Sequence, residues 1–359
     1  MSSSSSSSFS LLSCLCDVPL AFVDVETTGA SAAWGDRVIE VGVVRYEGGR
    51  PVREYQQLID PQRRIGAGVV ALTGITQQMV SGQPTFEQQL DVLLGVMRGA
   101  VVLGHNVRFD LSFLCREFRR ARVEICEALC NAPVFDTVRI ARRRFGRGGN
   151  GLQTLAPRLG IHPSAAHRAL ADAQTTAAVF ARLMEPVGGW RTCLCDVMRE
   201  QGGPMGLLPA SPRESLLPLE LEEAIDQKCT VRLEYLDGHE QRTERIIKPL
   251  HVRRLRGEMM LVAHCHLRND RRHFKLDRIV RLTRIPLTPS AGAKEQGAGE
   301  ASSPQPAQVP SLFDPPIMSA PSLAQAPASH EDELHPTGQT LGVDDAADRI
   351  AADDPRGVR

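Results

Sequence analysis

Two acidic residues in one short apolar segment are the first candidates for chemistry. Asp24 and Glu26 lie two positions apart, at the end of the run LAFVDV over residues 20–25. Because successive side chains of a strand alternate between its faces, both carboxylates point the same way. Carboxylates held together repel each other unless a cation lies between them. The pair therefore suggests a metal site, although solvated acids at a strand end would give the same pattern.

Two later segments carry further acids and a histidine. Asp110 follows the buried run AVVLGH (100–105) and falls in the first turn of a predicted helix, where an acid also suits the helix dipole. His167 lies at the start of another predicted helix, and Asp172 lies just over one turn inside it. Taken singly, these positions are equally well explained by a helix cap and a surface histidine.

The elements that must position these residues form an α/β pattern. Strand-like runs occupy residues 20–25, 37–46, 52–59 and 100–105, and helical spacing of apolar residues marks 86–97 and 167–184. Glycines and prolines then interrupt the periodicity between 186 and 215. A helix over 216–227 and strands over 229–236, 243–255 and 258–267 indicate a second, β-rich unit.

The three motifs VDVETTG, HNVRFDLSFL and HRALADA occur here in one order. Motifs of these types in this order resemble those of the DEDD exonuclease superfamily. The resemblance is specifically to its His-type (DEDDh) branch, which includes the proofreading epsilon subunit of bacterial replicases. The resemblance covers roughly residues 18–185. It implies a ribonuclease H-like fold, a mixed sheet flanked by helices, and 3′→5′ exonuclease activity on nucleic-acid ends.

The resemblance also implies roles for individual residues. The metal-binding carboxylates would be Asp24, Glu26, Asp110 and Asp172, and His167 would be the general base. Two Mg²⁺ or Mn²⁺ ions suit hard carboxylate ligands and can activate water and stabilise the leaving oxygen of a phosphodiester. The substrate-binding residues would be Thr27, Leu72, Thr73, His105 and Asn106.

Some residues near these motifs have two interpretations. Leu72, in ALTGIT (71–76), is expected to wedge against the terminal base or simply to pack in a turn. Asp136 is expected to support the site or to cap its helix. The arginines at 139, 142, 143, 144 and 147 could follow a phosphate backbone or form a solvated face.

Residues 216–286 resemble the WYL domain, a small β-rich module with an Sm/SH3-like barrel. The resemblance rests on VRLEYLDG, RIIKPL (245–250) and LVAHCHLRNDRRHFKLDRI (261–279), whereas Met259-Met260-Leu261 replaces the triplet that names the family. It implies that Arg268, Arg272 and Arg278 bind nucleic acid or a nucleotide-like effector. Alternatively, Arg278 pairs with Asp277 inside the barrel.

The ends of the chain have a different composition. Residues 1–17 are Ser-rich and 287–359 are acidic and rich in Pro and Ala, so both are predicted to be disordered. This leaves an exonuclease domain at 18–185, a linker at 186–215 and a WYL-like domain at 216–286. In the tail, Leu312 and Phe313 lie in a peptide that resembles bacterial sliding-clamp-binding peptides, which makes a sliding clamp a candidate partner.

Composition bounds the function further. Basic and acidic residues both number 42, because an acidic tail balances two mildly basic blocks. No run of about 18 apolar residues suggests a membrane span, and nine cysteines without a secreted-type framework favour a cytoplasmic protein with reduced thiols. The pentapeptide CLCDV occurs at 14–18 and at 193–197, so two CxC pairs could in principle hold a metal.

The sequence thus predicts a metal-dependent 3′→5′ exonuclease acting on single-stranded DNA or DNA 3′ ends, in repair or proofreading. Two alternatives remain open: a regulator that senses nucleic acid through the WYL-like domain, and an RNA-trimming exoribonuclease.

Overall fold

The computed structural model describes residues 9–163, 165–208, 217–255 and 258–285. The predicted acidic tail and the predicted clamp-binding residues Leu312 and Phe313 lie outside the described residues, as do the first eight residues.

A mixed five-stranded sheet forms the centre of the first domain. Its order is β3-β2-β1-β4-β5, with β2 antiparallel to both β1 and β3, and β1, β4 and β5 parallel. The strands are β1 (Leu20–Thr27), β2 (Val38–Glu47), β3 (Arg50–Leu58), β4 (Val101–Gly104) and β5 (Val134–Asp136).

Helices cover both faces of this sheet. Within the described residues they are α1 (Ala67–Thr73), α2 (Gln77–Val80), α3 (Phe86–Met97), α4 (Val107–Arg120), α5 (Ile125–Ala128), α6 (Thr137–Phe145), α7 (Leu152–Arg158) and α8 (Ala169–Met184). Alternate residues of β1 serve two cores: Ala21, Val23 and Val25 pack with α3 and α4, while Leu20 and Phe22 pack with α6, α7 and α8. The predicted ribonuclease H-like arrangement is confirmed.

Helix α8 approaches the sheet unusually closely. A Cβ on Gly42 of β2 would lie 2.2 Å from the Ala169 carbonyl carbon and the Leu170 nitrogen. Glycine at position 42 therefore lets the first turn of α8, which carries Asp172, pack directly on the strand next to β1.

The segments before and after this domain pack on it. The backbones of Cys14 and Cys193 pair as an isolated antiparallel β-bridge, without a disulfide. The Leu15 nitrogen donates to the Thr192 carbonyl at 3.0 Å, and Leu15 is fully buried. Residues 9–17 of the predicted disordered segment are thus held by backbone hydrogen bonds and an apolar anchor. All nine cysteines are free, and the two CxC pairs do not form a three-ligand metal cluster among the described residues.

The predicted linker also contains packed structure. Helix α9 (Leu194–Glu200) lies within it, and Met205 and Leu207 are buried in the core formed by α3 and α4. The glycines and prolines of this segment separate short packed pieces rather than mark a free connection. Residues 209–216 lie outside the described residues.

The second domain is an antiparallel five-stranded sheet with helix α10 (Leu219–Asp226) against it. The order is β10-β6-β7-β8-β9. Its strands are β6 (Val231–Leu236), β7 (Arg242–Leu255), β8 (Glu258–Cys265), β9 (Asp270–Lys275) and β10 (Ile279–Arg284). The long β7 pairs with β6 through its first half and with β8 through its second, so the expected β-rich unit is confirmed.

The two domains are in direct contact at several points. The Arg254 guanidinium lies 4.1 Å from the centre of the Trp34 ring. A Cβ on Gly68 of α1 would lie 2.1 Å from the Asp277 carbonyl oxygen, so the two backbones touch there. No helix in the described parts of the chain is both long enough and apolar enough to cross a membrane.

Candidate active site

The predicted carboxylates come together from three separate elements. Asp24 and Glu26 lie on β1, Asp110 lies in the first turn of α4, and Asp172 lies in the first turn of α8. Asp110 Oδ1 accepts a hydrogen bond of 3.0 Å from the backbone nitrogen of Val25. That bond joins the second motif to the first strand at the residue between the two acids.

His167 completes the cluster from the α8 side. Among the residues that the structure describes, Glu26, His167 and Asp172 form the one group of three or more possible ligands whose donor atoms all lie within 4.8 Å of one another. The backbone of His167 is left-handed, with φ of 58°, and its nitrogen donates to Asp172 Oδ2 at 3.0 Å. This turn places the imidazole beside the carboxylates before α8 begins.

The carboxylates strongly disfavour one another's charge. Burial raises the pKa of Asp24 well above its usual range, and the charges of Asp110 and Glu26 raise it further. Burial and the charge of Asp172 do the same to the pKa of Glu26, and burial raises that of Asp110. Burial raises the pKa of Asp172 to about 6. A divalent cation would remove this cost, so the donor set fits a hard metal ion.

His167 tends toward its neutral form. Burial lowers the pKa of this imidazole, and the positive charge of Arg281 on β10 of the second domain lowers it further. A neutral imidazole has a free nitrogen lone pair, which is what a proton acceptor requires.

Glu40 is a supporting residue that the sequence reasoning missed. It is fully buried on β2, opposite Glu26, and accepts from Arg168 Nη2 at 2.7 Å and from the Ala169 nitrogen at 3.0 Å. It thereby fixes the N-terminal end of α8. The signal was a lone charged residue within the otherwise apolar run VIEVGVV (38–44), since buried charges need partners.

Gln153 is a second supporting residue that the sequence did not reveal. From the first turn of α7, its Nε2 donates to Asp172 Oδ1 at 2.8 Å. Both carboxylate oxygens of Asp172 are therefore hydrogen bonded, which fixes the orientation of the carboxylate.

The predicted substrate-binding residues have different environments. Leu72 is 39% exposed, as a residue that contacts a base must be. The Thr27 hydroxyl donates to the Gly29 carbonyl at 2.6 Å and keeps its acceptor lone pairs. The hydroxyl of Thr73 is buried, donates to Val69 and accepts from the Ile75 nitrogen. Thr73 closes the end of α1, and its hydroxyl makes both of these hydrogen bonds within the fold.

The ring of His105 is held by neighbouring residues at this edge of the sheet. His105 Nδ1 lies 2.8 Å from Thr137 Oγ1 and Nε2 lies 2.7 Å from the Asn150 carbonyl, while burial lowers the pKa of this imidazole to about 4. Because a carbonyl only accepts, Nε2 carries the proton. Both ring nitrogens thus have hydrogen-bond partners within the fold.

Asp136 both caps a helix and supports the site. Its Oδ1 accepts from the Val138 nitrogen at 2.9 Å, which caps α6, and from the Asn106 nitrogen at 3.0 Å. The Asn106 backbone is left-handed, with φ of 61°. Asp136 therefore stabilises the turn that leads into α4 and Asp110.

The arginines of α6 and the following loop contact protein groups. Arg142 pairs with Glu223, Arg144 with Glu200 and Arg147 with Asp226. These pairs favour structural roles over the predicted contact with a phosphate backbone.

The arginines predicted for the second domain are on its sheet. Arg268 and Arg272 are exposed in the turn after β8 and on β9. Arg278 is half-buried and its Nη1 donates to the Asp237 carbonyl at 3.2 Å. The hydrogen-bond partner of this guanidinium is thus a backbone carbonyl rather than the Asp277 carboxylate.

The chain matches two family models. Residues 21–180 match the exonuclease family RNase_T, and residues 218–284 match the WYL domain. A DNA polymerase III PolC-type of Thermotoga maritima is 34% identical over 169 residues, which is 47% of this chain and 12% of that protein. The 3′-5′ exonuclease DinG of Bacillus subtilis is 34% identical over 164 residues, which is 45% of this chain and 17% of that protein. The chain thus spans less than a fifth of the length of these two relatives.

Solved structures with a similar fold include two exonucleases. Exonuclease X in complex with 5′ overhanging duplex DNA has a TM-score of 0.39 at 23% identity and covers 50% of this chain and 98% of its own. Exonuclease I has a TM-score of 0.44 at 20% identity and covers 68% of this chain and 55% of its own.

Proposed function

We propose that this chain, which matches an exonuclease family over residues 21–180 and the WYL domain over residues 218–284, removes nucleotides from DNA 3′ ends in a divalent-metal-dependent reaction. The observation that carries this proposal is the meeting of Glu26, His167 and Asp172 within 4.8 Å, next to Asp24 and Asp110. Residues separated by more than 140 positions in sequence are brought to one edge of one sheet.

Asp24, Glu26, Asp110 and Asp172 would hold the metal, with Mg²⁺ or Mn²⁺ the expected ions because all four donors are carboxylates. Two such ions, when bound, supply activation of a water and stabilisation of the leaving oxygen. The hydrogen bonds from Gln153 and the His167 backbone hold the carboxylate of Asp172 in one orientation.

His167 is the general base in this proposal. Its ring is beside the acidic cluster and its lowered pKa keeps a nitrogen free to take the proton of the attacking water. Leu72, which is exposed at the end of α1, is proposed to pack against the terminal base. Thr27, Thr73, His105 and Asn106 remain the other proposed contacts with the terminal nucleotide.

DNA is the proposed substrate because one relative is named a DNA polymerase III and another a 3′-5′ exonuclease. We propose a role in DNA repair or proofreading together with this substrate. The exposed Arg268 and Arg272, with Arg278, are proposed to attract the phosphate backbone or a nucleotide-like effector.

Hydrolysis of matched end-labelled single-stranded DNA and RNA by the full chain, with Mg²⁺ and with Mn²⁺, tests the proposal. We expect metal-dependent shortening of the DNA, and Asp91→Asn, an exposed acid on α3, serves as the control variant. Degradation of RNA alone would make the chain an exoribonuclease. No hydrolysis of either would favour a regulator that works through its WYL domain.

A further inference from the structure

Glu223, on α10 of the WYL domain, is buried against the exonuclease domain. Its Oε2 accepts from the Gly149 nitrogen at 3.0 Å, and its Oε1 accepts from Asn150 Nδ2 at 3.1 Å. Arg142 Nε also donates to Oε1 at 3.4 Å. The first two of these contacts join the carboxylate to the loop over residues 149–151, and the third joins it to α6.

That loop leads directly to the metal site. Asn150 is fully buried, and its carbonyl accepts from His105 Nε2 on the opposite side of the loop. Gly151 is the N-cap of α7, and Gln153, two residues later, donates to Asp172 Oδ1 at 2.8 Å. Between Glu223 and Asp172 there are thus two side-chain contacts and four residues of backbone.

We propose that Glu223 is a positioning residue for the exonuclease site: it holds the 149–153 segment so that Gln153 fixes the carboxylate of Asp172. The WYL domain is then part of the machinery that shapes the metal site. A displacement of α10 would loosen that site, so an effector bound to the WYL domain has a structural route to the exonuclease. The inference rests on the proposed metal site, and separate measurements of Mn²⁺ binding and of hydrolysis keep its failure distinguishable from a failure of the proposed activity.

The contact is specific to one of two neighbouring acids. Glu222 is more exposed, and its carboxylate lies 3.5 Å from Arg142 Nη2. Within the described residues, its side chain makes no hydrogen bond to the 149–151 loop. Replacement of Glu222 therefore changes the same interface and the same net charge, and affects their shared partner Arg142, but it leaves the hydrogen bonds from Gly149 and Asn150 to Glu223 in place. That makes Glu222→Gln a matched control for Glu223→Gln.

The test is Mn²⁺ binding by the full chain, measured by electron paramagnetic resonance of free Mn²⁺, alongside hydrolysis of a labelled oligonucleotide. In Glu223→Gln, one of the two acceptor oxygens is replaced by an NH₂ group. That NH₂ group would face a donor of the 149–151 loop, either the Gly149 nitrogen or Asn150 Nδ2, and the hydrogen bond there would be lost. Loss of the partner that hydrogen-bonds a metal ligand, here Gln153 on Asp172, typically costs about 10–100-fold in metal affinity or activity, and displacement of the segment that carries Gln153 should have an effect at the lower end of that range. We expect Glu223→Gln to weaken Mn²⁺ binding by about 10-fold or more, with the KM for oligonucleotide changed less than about twofold, and Glu222→Gln to match the unmodified chain.

Gln153→Ala alone and the double variant Glu223→Gln/Gln153→Ala test whether Glu223 acts through Gln153. If Glu223 acts through Gln153, the double variant binds Mn²⁺ no more weakly than Gln153→Ala alone, whereas independent effects would add. Unchanged Mn²⁺ binding in Glu223→Gln, or additive losses in the double variant, would overturn the inference. Should circular dichroism show that Glu223→Gln is unfolded, Glu223→Asp takes its place, since it keeps the charge and shortens the reach by one methylene. If the unmodified chain binds Mn²⁺ but hydrolyses nothing, the proposed function fails and the Mn²⁺ comparison still decides this inference.

Discussion

The acidic cluster of the exonuclease domain and the arginine surface of the WYL domain differ in how their side chains are held. At the cluster, Asp110 and Asp172 are buried and hydrogen bonded to residues on other elements. On the WYL sheet, Arg268 and Arg272 are exposed on an edge hairpin. A reaction needs fixed geometry, whereas attraction of a polyanion needs only charge. The first region is therefore expected to respond to single substitutions by orders of magnitude, and the second only gradually.

The largest expected effect comes from removing a carboxylate. Asp24→Ala should lower the hydrolysis rate by at least about 10³-fold, since a bound metal supplies several kcal/mol of transition-state stabilisation. The measurement is the rate on labelled DNA at saturating Mn²⁺, with Asp91→Asn as the control. Activity within tenfold of the unmodified chain would contradict the assignment of Asp24.

Removal of the proposed base should have the next largest effect. His167→Ala is expected to slow the chemical step by about 10²–10⁴-fold, the usual contribution of a general base. Mn²⁺ affinity should change little, because the carboxylates hold the ion. Single-turnover rates over pH and a Mn²⁺ titration check both parts; if the variant loses the metal instead, His167 is a ligand and not the base.

A moderate effect is expected on stability without metal. The folded pKa of Asp172 is about 6, above the value of about 3.9 for an unfolded chain. The folded state therefore favours the protonated form of Asp172. The resulting stabilisation is present below about pH 4 and is lost as pH rises through about 6. Asp172→Asn should remove this pH dependence.

The check is the Tm difference between Asp172→Asn and the unmodified chain in chelator, from pH 4 to pH 7. That difference should shift in favour of the variant as pH rises, and Mn²⁺ should stabilise only the unmodified chain at pH 7. A difference that is constant with pH would show that Asp172 is not destabilised by its surroundings.

The smallest expected effect belongs to the arginine surface. Arg268→Ala with Arg272→Ala should leave the rate at saturating DNA unchanged and weaken DNA binding, with the slope of log affinity against log salt reduced by about 2, one for each phosphate contact. Fluorescence anisotropy over a salt series measures this. An unchanged slope would remove these two arginines from the proposed DNA surface.

The sequence predicted the elements whose signals are local. Helix α3 was expected at 86–97 and is observed at Phe86–Met97, where Thr85 and Gln88 form a capping box. Its amphipathic spacing and its cap lie within one short stretch, so no distant contact is needed to define it. The acidic motifs were found for a similar reason, since each is a short run of characteristic residues.

The missed features depend on contacts between distant segments. Gln153 and Asp172 are 19 positions apart, and Glu223 and Asn150 are 73 apart, so spacing in sequence carried no signal for either pair. The predicted linker was read from its glycines and prolines, yet Met205 and Leu207 are buried. Thr73 and His105 lie in recognisable motifs, but hydrogen bonds within the fold occupy their polar atoms.

The most direct test of the central claim is the polarity and metal dependence of hydrolysis on one single-stranded DNA oligonucleotide, labelled at its 5′ end in one sample and at its 3′ end in another. The account predicts that, with Mn²⁺, the 5′ label yields a ladder of progressively shorter products while the 3′ label is released at once in mononucleotides. Chelator and Asp24→Ala should each abolish both. Mn²⁺-dependent cleavage that releases the 5′ label first, or cuts internally, would contradict the account.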